Sequence, residues 1–149
     1  MRERVDETLR THPWLVYEES GRIVGFAYSY PHRERAAYRW SVDVSIYLDE
    51  AARGRGIGRA LYVPLFRILS AQGFHRAFAG IALPNDASIA LHRALGFTAV
   101  GVYHDVGFKL GAWRDVAWWA RALTDAADAP AEPIPLPQVA PEVLASALR

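Results

Sequence analysis

Arg53-Gly54-Arg55-Gly56-Ile57-Gly58 brings together what a diphosphate needs from a chain. Three glycines on alternate positions let backbone amides approach an anion closely, and glycine takes positive φ without cost. A helix beginning near Gly58 adds unpaired amides and the positive end of its dipole. Arg53, Arg55 and Arg59 supply charge around the same point. The hexapeptide also fits an ordinary glycine-rich turn with exposed arginines. It is no P-loop, since no Gly-Lys-Ser/Thr follows, and its G-x-G-x-G spacing after a hairpin is not the dinucleotide fingerprint. Two side chains are candidates for moving protons. Asp43 is an acid inside an apolar strand, which suits a general base and equally a solvent-facing carboxylate. His92 lies on a helix, where its residue type suits proton transfer near neutral pH but also a plain core or surface position. Arg33, Arg35 and Arg39 stand close enough in sequence to attract a carboxylate, or to be solvated charges only.

The elements that must hold these residues follow from periodicity. Residues 2–10 read as the last turns of a helix, ended at His12-Pro13. Trp14 to Glu18 and Ile23 to Tyr30 read as a hairpin about Glu19-Ser20-Gly21-Arg22. Tyr38 to Leu48 alternates, with Trp40, Val42, Val44 and Ile46 on one face and Ser41, Asp43, Ser45 and Tyr47 on the other. Leu61, Leu65, Ile68 and Leu69 then make a helical stripe up to a stop at Gly73. Phe74 to Leu83 predicts a strand, Ala87 to Leu95 a second amphipathic helix. Phe97 to Val102 and Asp115 to Ala122 predict closing strands joined by a longer connection. The fold class is thus α/β (α+β), a single mixed, mostly antiparallel sheet flanked by helices. The domain is expected over 1–123. Residues 124–149 hold five of the nine prolines and are expected to form a Pro/Ala-rich mobile tail.

Composition narrows the chemistry. With 17 basic and 16 acidic residues the net charge is +1, which gives no reason to expect nucleic acid or an anionic membrane as partner. The absence of cysteine excludes disulfides, zinc–thiolate sites and cysteine nucleophiles. No metal is expected, and neither a signal peptide nor a membrane span is predicted, so a cytoplasmic protein is the default expectation.

The R-x-x-G-x-G pattern of Arg53, Gly56 and Gly58 resembles the coenzyme A pyrophosphate motif of the GNAT superfamily of N-acetyltransferases. Asn85 to Phe97 is similar to a second family motif, N-x-x-S-x-x-L-x-x-x-x-G-F. Within the superfamily the chain resembles the phosphinothricin and methionine sulfoximine branch through Pro13 to Val16, Tyr38 to Tyr47, Ala79 to Asn85 and Gly107 to Val116. The likeness runs from about residue 4 to residue 122.

That resemblance implies a GNAT fold and acetyl-CoA as cosubstrate, gripped by Arg53, Gly54, Arg55, Gly56, Ile57, Gly58 and Arg59. It implies pantetheine contacts from the backbone of Ile46, Tyr47 and Leu48 and from Asn85 and Ser88, the last two also fitting helix capping. The family places a glutamate where Asp43 stands, acting as general base, often through water; aspartate is one methylene shorter, which favours the water relay. The branch has a histidine matching His92, used in substrate handling or proton transfer. Ala36, Ala37 and Tyr38 match the loop that meets the amino-acid substrate. Tyr103 and His104 are weaker alternatives for reprotonating the thiolate. Trp113, Trp118 and Trp119 suit packing or dimer contacts. The family domain begins with a strand and two helices ahead of the strand at Trp14, and most of that segment has no counterpart here. An open acceptor site and a homodimer are therefore expected. The expected reaction is acetyl transfer to the primary amine of a small amino-acid-like acceptor. A catalytically degenerate coenzyme A-binding or protein-interaction module, and a protein N-terminal or lysine acetyltransferase, are the alternatives.

Overall fold

The computed structural model describes residues 1–149. Its elements are α1 (Arg2–Leu9), β1 (Trp14–Glu19), β2 (Arg22–Pro31), β3 (Ser41–Leu48), α2 (Ile57–Gln72), β4 (Arg76–Ala82), α3 (Asp86–Ala94), β5 (Thr98–Lys109), β6 (Ala112–Ala122) and α4 (Pro141–Ala147). The strands form one sheet in the order β1-β2-β3-β4-β6-β5, and only β3 and β4 run parallel. This is the mixed, mostly antiparallel sheet the sequence predicts.

Register assigns the two faces. Ala27, Val42, Val44, Ala77, Ala79 and Ala117 share one face, and the apolar stripe of α2 packs on it through Leu61, Leu65 and Leu69. Burying each of those leucines contributes roughly 1.5–3 kcal/mol. The opposite face carries Phe26, Tyr28, Tyr30, Asp43, Phe78 and Trp118, because the register pairs Tyr30 with Asp43 and Asp43 with Phe78, and the others stand an even number of residues along the strands from these or their partners. Here Trp14 stacks on Tyr28 at 4.1 Å, and Arg4 of α1 hydrogen-bonds the Tyr28 hydroxyl at 2.8 Å.

Three elements differ from expectation. The strand expected from Tyr38 starts at Ser41, and Ala36–Tyr38 form a single 3-10 turn. The paired register with β4 begins at Ser41, opposite Arg76. The connection expected between Val102 and Asp115 is itself strand: β5 and β6 continue to a two-residue turn at Leu110-Gly111, both at positive φ. Such turns match strand twist, but a leucine in the first position hides the signal.

The segment 124–149, expected to be a mobile tail, is tied to the body. Trp40 Nε1 donates to Ala131 O at 2.8 Å, Ile134 N to Gln72 O at 2.9 Å, and Leu136 N to Thr11 O at 3.1 Å. Val139 and Ala147 are buried, and α4 packs on α2. The apolar residues between the prolines supply the anchoring that composition alone conceals.

His12 closes the turn after α1. It is 7% exposed, stacks on Phe74 at 5.2 Å, and its Nδ1 lies 2.8 Å from Thr11 Oγ1. Burial lowers its pKa from 6.5 to about 4. The unfolded chain therefore takes up this proton at a higher pH than the folded chain. Stability is complete above about pH 6.5 and falls as pH drops towards about 4, by at most about 3 kcal/mol. His12→Phe should remove that decline, read from urea unfolding at neutral and mildly acid pH.

Candidate active site

The parallel pairing of β3 with β4 is short: Ser41, Val42 and Asp43 face Arg76, Ala77 and Phe78, and then the strands part. β4 continues beside β6 to Ala82, while β3 continues beside β2 to Leu48. The β4-side backbone of β3 beyond Asp43 is left without a strand partner. A wedge in a sheet exposes backbone donors and acceptors that a ligand can complete.

Helix α2 starts at the mouth of that wedge. Gly54 and Gly56 sit at φ +72 and +80, and Gly56 caps the helix without a side-chain hydrogen bond. The amides of residues 54–59 donate to no atom of the chain, the first helical bond being Ala60 N to Gly56 O at 3.0 Å. Six free amides at a helix N-terminus make an anion site. Across from it, Asn85 caps α3, its Oδ1 accepting from Ser88 N at 3.1 Å and its amide nitrogen left free.

A cleft of about 570 Å³ joins these parts. Of the residues assigned to cofactor binding from sequence, Ile46, Tyr47, Leu48, Arg53, Gly54, Gly56, Ile57, Gly58, Arg59, Asn85 and Ser88 all line it, with Ala87 and Leu91 added. Arg55 does not. It turns away to Glu19, with guanidinium–carboxylate distances of 2.5 and 3.2 Å, since a free carboxylate at the β1–β2 turn is the stronger local partner.

Asp43 is 6% exposed on the opposite sheet face from α2. Its Oδ1 lies 2.5 Å from His32 Nδ1. Burial raises its pKa, and the hydrogen bond from His32 and the charges of His32 and Arg33 partly offset this. Tyr30, beside it on β2, is also raised by burial, against a hydrogen bond with Ser45.

His92 does not join Asp43. It is 2% exposed among Tyr62 and Phe97, on the α2 side of the sheet. Its Nδ1 donates to Ser88 O at 2.7 Å, and its Nε2 accepts from the Tyr62 hydroxyl at 3.0 Å. Desolvation lowers its pKa. With both nitrogens engaged inside the core, the expected proton-handling role is corrected to that of a buried tie between α3 and α2. Nor do Ala36, Ala37 and Tyr38 reach the cleft: all three are exposed, and Ala37 lines a groove with Trp40 and Ala131 instead. Arg39 is spent on Glu132 at 3.0 Å, which leaves Arg33, beside Asp43, as the arginine nearest the buried acid. His32 had no signal in sequence beyond being a histidine after a proline; its position opposite the strand of Asp43 exists only in the folded register. No group of three or more His, Asp or Glu is gathered as a metal would require.

A helix N-terminus of unpartnered amides at the opening of a mixed sheet defines an anion-binding α/β scaffold. A family model described as an acetyltransferase (GNAT) domain matches residues 3–118, and the chain belongs to that family. It is 50% identical over 105 residues to a phosphinothricin N-acetyltransferase of Streptomyces coelicolor, covering 70% of this chain and 61% of the relative. To the phosphinothricin N-acetyltransferase of Streptomyces viridochromogenes it is 42% identical over 125 residues, covering 84% and 66%. The chain thus spans less than two thirds of the length of these curated relatives. Among solved structures, a GNAT phosphinothricin acetyltransferase from Sinorhizobium meliloti in complex with AcCoA superposes with a TM-score of 0.79 at 40% identity, covering 89% of this chain and 72% of that one.

Proposed function

We propose that this chain transfers the acetyl group of acetyl-CoA to the primary amine of a small amino-acid-like acceptor. The observation that carries the reading is the single cleft that gathers the free amides of 54–59, the unpaired edge of β3 and the cap of α3. In this reading the pyrophosphate takes the amides and the charges of Arg53 and Arg59, and the pantetheine arm continues the sheet along Ile46 to Leu48 towards Asp43. The carboxylate of Asp43 serves proton removal from the ammonium, and the acceptor lies on the aromatic face of the sheet, where Arg33 can meet a carboxylate. The names of the relatives support a phosphinothricin- or methionine sulfoximine-type acceptor. No helix is long and apolar enough to cross a membrane. Use of acetyl-CoA as cosubstrate is what supports a cytoplasmic place in this reading. The test is thiol release from acetyl-CoA with phosphinothricin, methionine sulfoximine and ordinary amino acids as acceptors. Turnover no greater than that of Asp43→Asn would sink it. Activity confined to peptide amines would favour a protein acetyltransferase, and tight acetyl-CoA binding without turnover a degenerate module.

The β5–β6 hairpin supports a second copy as partner. Val106, Phe108, Leu110 and Trp113 are 52–86% exposed on its tip and form an apolar ribbon of the kind that marks an interaction surface. Sedimentation should find a dimer that Trp113→Glu converts to monomer.

A further inference from the structure

His32 stands in none of the motifs that carry the family likeness, yet it is the residue in contact with the buried acid. Its ring lies on Phe78, with centroids 4.3 Å apart and planes 19° apart, and meets the edge of Trp118 at 6.1 Å. Those two rings set its plane. The Asp43 carboxylate, 2.5 Å from Nδ1, fixes its tautomer by accepting the Nδ1 proton, so the neutral ring carries its lone pair on Nε2. Nε2 has no partner in the chain and is not among the polar atoms sealed from solvent, unlike Nε2 of His12. Asp43 is the reverse: its side chain is 8% exposed and one oxygen is already committed to His32. His32 is the less buried of the two, with 16% of its side chain exposed against 8% for Asp43. The charged groups facing the imidazole are Asp43 from β3 and Arg33 next to it in the chain, with Tyr30 beside Asp43 on β2. Phe78 of β4 and Trp118 of β6 bring no charge.

We propose that His32, through Nε2, takes the proton from the acceptor ammonium, and that Asp43 is the positioning residue that holds the imidazole for it. This rests on the acetyl-transfer reading. The ammonium gives one proton to Nε2, and the imidazolium formed is paired with the Asp43 carboxylate. The free amine attacks the thioester carbonyl carbon; the C–N bond forms, the C–S bond breaks, and the electron pair leaves on sulfur. The second amine proton goes to the thiolate, giving the amide and the coenzyme A thiol, and Nε2 returns its proton to solvent.

The experiment compares the wild-type protein with His32→Gln, His32→Phe, His32→Ala and Asp43→Asn. His32→Gln should lose about a hundredfold or more in kcat while its KM for acetyl-CoA stays put. His32→Phe keeps the stack on Phe78 without a nitrogen and should be equally slow, which guards against a mere folding defect. Added imidazole should restore turnover to His32→Ala and not to Asp43→Asn. The dependence of kcat/KM on pH should differ between His32→Gln and the wild-type protein. Wild-type turnover and pH profile in His32→Gln, with Asp43→Asn inactive, would overturn the inference and leave Asp43 as base through water. No turnover by the wild-type protein on any acceptor would remove the acetyl-transfer reading and this inference with it.

Discussion

Gly56→Val should weaken acetyl-CoA binding by about a hundredfold or more while leaving the fold intact. Gly56 holds φ +80 and caps α2, yet a Cβ built on it meets nothing within 4 Å. The fault of any other residue there is therefore conformational and not a clash. Left-handed backbone costs an L-residue about 1–2 kcal/mol, more for a β-branched one, so the loop relaxes to another shape. Relaxation turns away the amides that the proposed pyrophosphate needs, and each charge-assisted hydrogen bond lost is worth about 1.5–3 kcal/mol. Calorimetry should show the loss, and thermal unfolding of the unliganded variant should stay near the wild-type midpoint. Gly58→Ala makes the complementary case: its Cβ would lie 2.9 Å from Leu91 Cδ2, so the cost there falls on packing between α2 and α3. Unchanged affinity in Gly56→Val would mean that the loop amides are not the grip.

Asp43→Asn separates chemistry from stability. Removing the carboxylate that holds the His32 imidazole should lower kcat by about 10²–10⁴-fold, with acetyl-CoA affinity unchanged. Its effect on the fold has the opposite sign. Burial raises the Asp43 pKa above the ordinary 3.8, so the folded chain holds the proton to a higher pH than the unfolded chain does. Stability therefore declines as pH rises from about 3.8 through the raised value, and an uncharged Asn does not share that decline. An inactive protein at least as stable as wild type at neutral pH is the expected result. Urea unfolding across the acid range, alongside thiol release, checks both halves. An active Asp43→Asn would remove the acid from the mechanism altogether.

What could be read in advance follows from how local each signal is. The loop at Arg53 to Gly58 and the cap at Asn85 are short, self-contained patterns, and both open helices whose first amides must face something. They meet in one cleft because β3 and β4 run parallel, which the order strand, helix, strand already implied. Arg55 is the exception within the loop, since its partner Glu19 is 36 residues away and nothing in the hexapeptide encodes it. Asp43 was legible as an acid in an apolar strand, but its surroundings were not. His32 reaches it only through antiparallel register, in which Pro31 pairs with Val42. His92 shows the converse failure. Its motif is real, yet helical spacing from Ser88 and contact with Tyr62 turn both nitrogens inward, which residue type alone does not say. The long β5–β6 hairpin escaped because Leu110-Gly111 lacks the usual turn chemistry, and the apolar anchors of 124–149 because prolines surround them.

Gln72 ends α2 with 1% of its surface exposed, and its Nε2 donates to Thr11 O and to Ile134 O at 2.8 and 2.9 Å. Those partners stand 61 and 62 residues away, one on each side. Contacts so remote along the chain carry a high loop-closure entropy and tend to form late. The carboxamide thus acts as a clasp that closes after the sheet is built. Refolding followed by Trp40, which bonds Ala131 beside it, should report that final step separately from the collapse of the core.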